Sequence, residues 1–312
     1  MGQRARNHKV DTPRGPAQQG GMLAAIPFPD LSPEIFAIDL GSFRFALRWY
    51  AMGYIVGILI GWWIIARAIS NPALWAGPAP MTRAQLESLV TWMVIGIIVG
   101  GRLGFVLFYQ PGYFLANPAD IPKVWQGGMS FHGGFLGVVA GVWLFSRKNG
   151  LPTASIADLL ALATPPALGL VRVANFINAE LWGKPTTMPW GVIFPGDRAQ
   201  DCPGFEGLCA RHPSQLYEAA LEGLVLMALL LFVAWRRDWL KTPGRIAGTF
   251  FLGYGLARFF VEFFRQADAH YITLDNPAGH VFLGMTMGQL LSLPMIVAGI
   301  LTILWANRRA RA

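Results

Sequence analysis

Residues 49–66 read WYAMGYIVGILIGWWIIA, eighteen residues without a lysine, arginine, aspartate or glutamate. An uncharged apolar run of this length matches the roughly 20 residues that a helix needs to cross the hydrocarbon core of a bilayer. Near the other end of the chain, residues 281–307 are equally free of charge. Between them lie further apolar segments, so that seven in all centre on 48–68, 88–110, 131–147, 156–177, 215–235, 246–264 and 285–306. The runs are continuous rather than alternating with period two, which points to helices and not to a barrel. The fold class expected is therefore an all-α polytopic membrane protein with about seven transmembrane helices. The fourth segment is the weak one, because Pro165-Pro166 interrupts it and predicts a kinked or partly re-entrant helix.

Composition agrees. Of the 312 residues 54% are hydrophobic and 13% charged, about half the charge of an ordinary soluble domain, and the mean hydropathy is +0.43. So few charges cannot clothe a water-facing surface, which excludes a disordered chain, a typical cytosolic enzyme and a disulfide-dense secreted scaffold. The 25 Lys+Arg against 17 Asp+Glu would suggest nucleic acid in a soluble protein. Here the cations cluster between apolar runs, so membrane topology accounts for them and no nucleic-acid partner is implied. Eleven cations, among them Arg67, Arg83, Arg147 and Arg245, fall on one side, and five, Lys123, Lys184, Arg198, Arg211 and Arg265, on the other. This predicts a cytoplasmic C-terminus and an N-terminus outside, although Arg44 and Arg48 lean the other way. Residues 1–30 form a polar extension without the apolar core of a signal peptide, and they read as disordered. Residues 31–312 then make a single membrane domain, with an outer loop at 178–214. Cys202 and Cys209 lie in that loop, where a local disulfide is the natural reading.

Glycines recur four apart at 53, 57 and 61, at 96, 100 and 104, and at 133, 137 and 141. Each triplet lies on one helix face and permits close helix packing. Ionisable groups inside apolar segments are costly and point to function. Arg102 lies in the second segment; Arg172, followed by Asn175 and Asn178, in the fourth; Arg258 and Glu262 in the sixth. Tyr254, Arg258 and Glu262 share one face. Arg258 and Glu262 form either a self-neutralising pair or part of a site. Three such arginines against few acids leave excess positive charge, which suits a phosphate. His132 opens the third segment between glycines; it is either a hydrogen-bonded core residue or a proton carrier. His212, His270 and His280 lack ligand spacing, so no metal site is expected.

Several of these residues sit in longer motifs. Gly127-Gly-Met-Ser-Phe-His-Gly-Gly-Phe-Leu-Gly137, Arg172-Val-Ala-Asn-Phe-Ile-Asn-Ala-Glu-Leu-Trp-Gly183, Arg211-His-Pro-Ser-Gln-Leu-Tyr-Glu218 and Gly253-Tyr-Gly-Leu-Ala-Arg-Phe-Phe-Val-Glu-Phe-Phe-Arg265 follow one another, after Arg48-Trp-Tyr50. From about residue 30 to the C-terminus the chain resembles the bacterial prolipoprotein diacylglyceryl transferases. It departs from their pattern at Ala179, where glycine is usual, and at Val173-Ala174 in place of Leu-Gly. The resemblance implies an enzyme of the bacterial inner membrane that moves the diacylglyceryl group of phosphatidylglycerol to the lipobox cysteine of a prolipoprotein signal peptide. A thioether forms and glycerol phosphate leaves, with no cofactor. It implies catalytic roles for His132, Arg172 and Arg258, and a substrate-binding set of Tyr50, Arg102, Asn175, Glu180, Gly183, Tyr254 and Glu262. The expected site lies between the third, fourth and sixth segments toward the outer face, in contact with membrane lipids. A transporter of an anionic lipid or solute is the competing reading, against which stands the lack of an internal repeat.

Overall fold

The computed structural model describes residues 25–41, 43–202, 207–273 and 275–311. In chain order the elements are β1 (Ile26–Pro27), β2 (Glu34–Leu40), β3 (Phe43–Arg48), α1 (Trp49–Ile69), α2 (Arg83–Phe108), α3 (Phe131–Lys148), α4 (Thr153–Ile177), β4 (Val192–Ile193), α5 (Ser214–Arg236), α6 (Arg245–Val261) and α7 (Met287–Arg309), with short helical turns between them. Among the described residues five helices, α1, α2, α4, α5 and α7, are long and apolar enough to cross a membrane. The 18-residue α3 and 17-residue α6 fall outside that group. Large apolar side chains such as Leu59, Leu107 and Leu301 stand exposed on the outside, as a lipid-facing surface requires. The chain is a multi-pass membrane protein.

The expected glycine contacts hold the bundle together in antiparallel pairs. Gly57 of α1 lies against Ala167 of α4, where an added Cβ would come within 2.5 Å of the Ala167 Cα, and Gly61 lies against Ala163. In α2 and α3 the glycine rows face each other: Gly96 meets the Gly137 carbonyl, Gly100 that of Gly133, and Gly141 lies on Trp92. Gly248 and Gly255 of α6 rest on the Gly299 and Ser292 carbonyls of α7 at 3.0 and 3.2 Å from a built Cβ. Backbones this close admit no side chain, and in a membrane such packing is what drives helix association.

The two ends of the bundle differ in chemistry. At one end the late part of α1, the start of α2, the end of α3 and the start of α4 bury Ile64, Leu86, Leu89, Phe145, Ile156 and Leu159 in one dry core. Asp158 is buried there too, but its carboxylate accepts the Gly244 and Ala247 N–H groups at 2.7 Å and so caps the start of α6. At the other end the helices carry arginines, glutamates and glycine-lined loops.

Three expectations need correction. The Pro165-Pro166 pair does not break the fourth segment: α4 runs unbroken over 25 residues with both prolines inside. A bundle interior tolerates this because neighbouring groups take up freed backbone positions, and the Thr164 hydroxyl donates to Leu160 O beside them at 2.7 Å. The expected extension falls mostly outside the described residues, but its last part is folded. Ile26-Pro27 pairs in parallel with Val192-Ile193, and the ring of Phe28 packs on Phe176 and Phe194 at 5.4 and 5.5 Å. An apolar Ile-Pro-Phe segment has surface to bury. The chain is also not wholly helical, since β2 and β3 form an antiparallel hairpin ahead of α1.

Candidate active site

Three helix ends converge to build the polar centre. Gly169 of α4 touches Gly223 of α5, whose added Cβ would lie 2.5 Å from the Gly169 Cα. That contact brings Arg172, one turn on, beside the acids of α5. The chain of α5 is π-helical over Ala219–Val225, a local widening that recurs at functional sites. Glu218 and Glu222 flank and occupy that stretch and are fully buried. Glu218 is the hub. Its Oε2 lies 2.8 Å from Arg172 Nε, and its Oε1 accepts from Arg258 Nη1 at 2.5 Å and from Arg265 Nη1 at 3.5 Å. Arg258 Nη2 reaches Glu262 Oε2 at 2.8 Å, and Glu222 stands 3.9 Å from Arg172. Glu262 packs on Gly288 at the start of α7, where a Cβ would lie 2.5 Å from its carboxylate.

Three arginines therefore meet three glutamates, and the expectation of excess positive charge does not hold. The acids of α5 supply the balance. What the cluster does have is unspent donors: each guanidinium offers five N–H groups, and Arg265 makes its one carboxylate contact at 3.5 Å. Arg258, Glu262 and Arg265 also line an opening of about 120 Å³ bounded by Tyr271, Thr286 and Gly288.

The other expected residues separate into groups. Tyr254 lies one turn before Arg258 on α6 and stacks on Phe250. Tyr50 meets Tyr54 through its hydroxyl at 3.4 Å. Gly53 lies against Leu170, so the register of α1 on α4 puts Tyr50 level with the Arg172 turn. Asn175 and Glu180 close the chain reversal after α4: Asn175 Nδ2 donates to Glu180 Oε1 at 2.7 Å, and Asn175 Oδ1 accepts from Arg172 Nη1 at 3.4 Å. Gly183 serves a junction of three strands of chain. Its N–H donates to His212 O at 2.9 Å, and a Cβ there would sit 2.5 Å from Phe264 O.

Arg102 is not part of the cluster. Its Nε donates to Ile121 O and its Nη2 to Asp120 O, both at 2.7 Å, while Nη1 serves Gly127 O and Gly128 O at 2.7 and 3.1 Å. With its guanidinium also 5.0 Å from the Phe114 ring, it clamps the loop that leads into α3. His132 sits at the start of α3, exposed, edge-on to Phe131. Among the described residues it makes no hydrogen bond or ion pair with the arginine cluster. A four-residue connection joins α3 to α4, so the Phe131 end of one and the Ile177 end of the other lie on the same side of the bundle.

Glu218, Glu222 and Arg265 belong to the centre but not to the expected set. Glu218 and Glu222 stand four apart inside the fifth apolar segment, the same signal that marked Arg258 and Glu262. Arg265 lies just past the sixth. In the loop between α4 and α5 Cys202 and Cys209 are disulfide-bonded, and Arg211 holds the loop through Ala199 O at 2.5 Å and Asp201 O at 2.8 Å. Tyr217 accepts the Trp190 N–H at 2.8 Å and lies 3.1 Å from His212 Nδ1. Burial lowers the His212 pKa, with Lys184 adding to it.

The Ala179 departure now has a physical meaning. Its φ is +53°, a left-handed conformation that costs an L-residue roughly 1–2 kcal/mol. Ala179→Gly is expected to raise stability by up to about 1 kcal/mol, part of the relief being lost to glycine's greater freedom when unfolded. Thermal melting in detergent checks this; a lower melting temperature would show that the Ala179 methyl contributes packing instead.

Residues 36–305 match the sequence profile of a family described as prolipoprotein diacylglyceryl transferase. The chain is 60% identical over 292 residues, 92% of its length and 100% of the relative's, to the phosphatidylglycerol–prolipoprotein diacylglyceryl transferase of Cereibacter sphaeroides strain ATCC 17025. It is 59% identical over 295 residues, 93% of its length and 99% of the other's, to the protein of that name in Roseobacter denitrificans. To that of Mesorhizobium japonicum it is 48% identical over 292 residues, 93% and 94% of the two chains. Matches of this length and identity cover α1 through α7, the arginine–glutamate cluster and the loops between them, and the chain belongs to the prolipoprotein diacylglyceryl transferase family.

Proposed function

We propose that the protein transfers the diacylglyceryl group of phosphatidylglycerol to the thiol of a lipobox cysteine in a prolipoprotein signal peptide. The observation that carries this reading is family membership across the whole membrane domain, with a buried arginine–glutamate cluster at one end of that domain. Sulfur attacks the glycerol carbon that bears the phosphate. A carbon–sulfur bond forms, the carbon–oxygen bond breaks, and its electron pair stays on the phosphate oxygen as glycerol phosphate departs. The phosphate goes from one negative charge to two, and guanidinium N–H groups placed around it stabilise the growing charge. Arg258 and Arg265, which line the opening, take this role in our reading, and Arg172 holds Glu218 behind them. His132 receives the thiol proton. Tyr50 and Tyr254 border the lipid.

In the same reading all seven helices cross the inner membrane, with the N-terminus outside, the C-terminus cytoplasmic and the cluster toward the outer leaflet. A disulfide in the loop beyond α4 suits an oxidising side. Residues 25–312 form one catalytic domain.

Purified protein, labelled phosphatidylglycerol and a lipobox peptide test the reaction. Thioether-linked lipid on the peptide is the expected product, and His132→Gln is expected to lower its rate by about a hundredfold or more, the scale of a lost general base. Lipid movement with no modified peptide would favour a transporter. A His132→Gln rate equal to wild type would assign the proton to another acceptor.

A further inference from the structure

A second, larger pocket lies at the opposite end of the bundle. It has a volume of about 430 Å³ and is lined by Trp62, Trp63, Arg67, Ser70, Asn71 and Arg83, within the roughly 300–1,000 Å³ of sites that hold small ligands. With Gly61 of α1 against Ala163 of α4, Arg67 falls about 20 Å along the helix axis from the level of Arg172 at 1.5 Å per residue. The pocket is therefore separate from the arginine–glutamate cluster.

Its charge is also different in kind. Arg172, Arg258 and Arg265 are each met by carboxylates, whereas neither Arg67 nor Arg83 has one within 4.0 Å among the described residues. Arg83 Nη2 donates to Ser70 Oγ at 3.1 Å, and that hydroxyl donates to Ala66 O at 2.8 Å, which fixes Arg83 from α2 against the end of α1. Asn71 Oδ1 accepts the Ala73 N–H at 3.2 Å, so its amide nitrogen is left as a donor. Two guanidiniums, a free amide and two indoles thus share one concavity that contains no acidic side chain.

Such a donor set calls for an anion, and the planar forks of arginine suit phosphate oxygens. Trp62 and Trp63 indicate what carries it. They are 36% and 58% exposed in the last two turns of a membrane-crossing helix, the depth at which indoles sit among headgroups with their apolar bodies toward the acyl chains. A zwitterionic headgroup would bring a cation beside Arg67 and Arg83, with no carboxylate in the lining to offset the repulsion and only the indole faces to meet it. We propose that this pocket binds the headgroup phosphate of an anionic phospholipid in the leaflet at that end, as a site apart from the one where lipid reacts. The inference needs α1 to cross the membrane and does not use the proposed reaction.

Native mass spectrometry of the full chain, released from detergent with defined lipids, tests it. The probes are phosphatidylglycerol, phosphatidylcholine and soluble glycerol phosphate. Wild type is expected to retain one more phosphatidylglycerol than the Arg67→Gln/Arg83→Gln variant, to show no such difference with phosphatidylcholine, and to bind glycerol phosphate far more weakly than the lipid. Transfer activity should be unchanged in that variant, which separates this site from the reaction and shows that the variant folds. Should it not fold, Arg67→Lys/Arg83→Lys keeps both charges and loses the forks, and about tenfold weaker retention is expected, the equivalent of one charge-assisted hydrogen bond. Equal phosphatidylglycerol retention by wild type and whichever variant folds would overturn the proposal. Equal affinity for glycerol phosphate and lipid would also overturn it, by showing a soluble-anion site.

Discussion

Glu218→Gln is expected to destabilise the protein by about 3–5 kcal/mol, the cost of removing one partner from a buried ion pair. The carboxylate is 1% exposed and meets Arg172, Arg258 and Arg265. Glutamine keeps the size, so no cavity contributes. It loses the charge, and it turns an amide N–H₂ toward guanidiniums that can only donate. Arg258 retains Glu262 at 2.8 Å, but Arg172 is left with Glu222 at 3.9 Å and Arg265 with no carboxylate within ion-pair distance among the described residues. Thermal melting in detergent and protease resistance measure the effect. If a bound phosphate can stand in for the carboxylate, added phosphatidylglycerol should recover part of the lost stability in Glu218→Gln. A melting temperature equal to wild type without added lipid would mean that these guanidiniums do not depend on Glu218.

The physics of each region decides how far the sequence alone could reveal it. A charge-free run such as 49–66 has one stable outcome in a bilayer, so helix positions are legible to within a few residues. Glycine rows four apart are equally plain, and the rows at 96–104 and 133–141 do face each other. The pairing itself was not legible, because any two such faces could meet. Arg102 shows where the argument from costly charges stops. An arginine can be satisfied by backbone carbonyls as well as by an anion, and its four acceptors, Asp120, Ile121, Gly127 and Gly128, carry no side-chain signal. Glu218 and Glu222 were legible by the rule that marked Glu262, and counting them would have corrected the charge of the centre. The hairpin at 34–48 had a cue as well: a glycine stands at 41 between two apolar runs, where a tight turn favours it, and Gly41 takes φ +64°.

Arg258 decides between a centre that only balances its own charge and one that also holds a phosphate. Arg258→Lys keeps the charge but loses the fork that spans Glu218 and Glu262. Losing one contact made to developing charge typically removes about 2.7–4 kcal/mol, a hundred- to thousandfold in rate, and that is the expected loss of transfer. A drop in a single mutant does not separate the two roles, since Arg258→Met also leaves three acids facing two arginines. Arg258→Met with Glu262→Gln does separate them. It leaves Arg172 and Arg265 with Glu218 and Glu222, two charges of each sign, so the double mutant should insert and melt close to wild type. If Arg258 only neutralises its neighbours, transfer should return with the balance. If it holds phosphate, the double mutant stays a hundredfold or more below wild type, because no remaining group replaces the guanidinium at the rim of the opening beside Arg265. Lipid transfer by the two single mutants and the double mutant, each with its melting curve, gives the answer, and near-wild-type transfer by the double mutant would assign Arg258 to the scaffold.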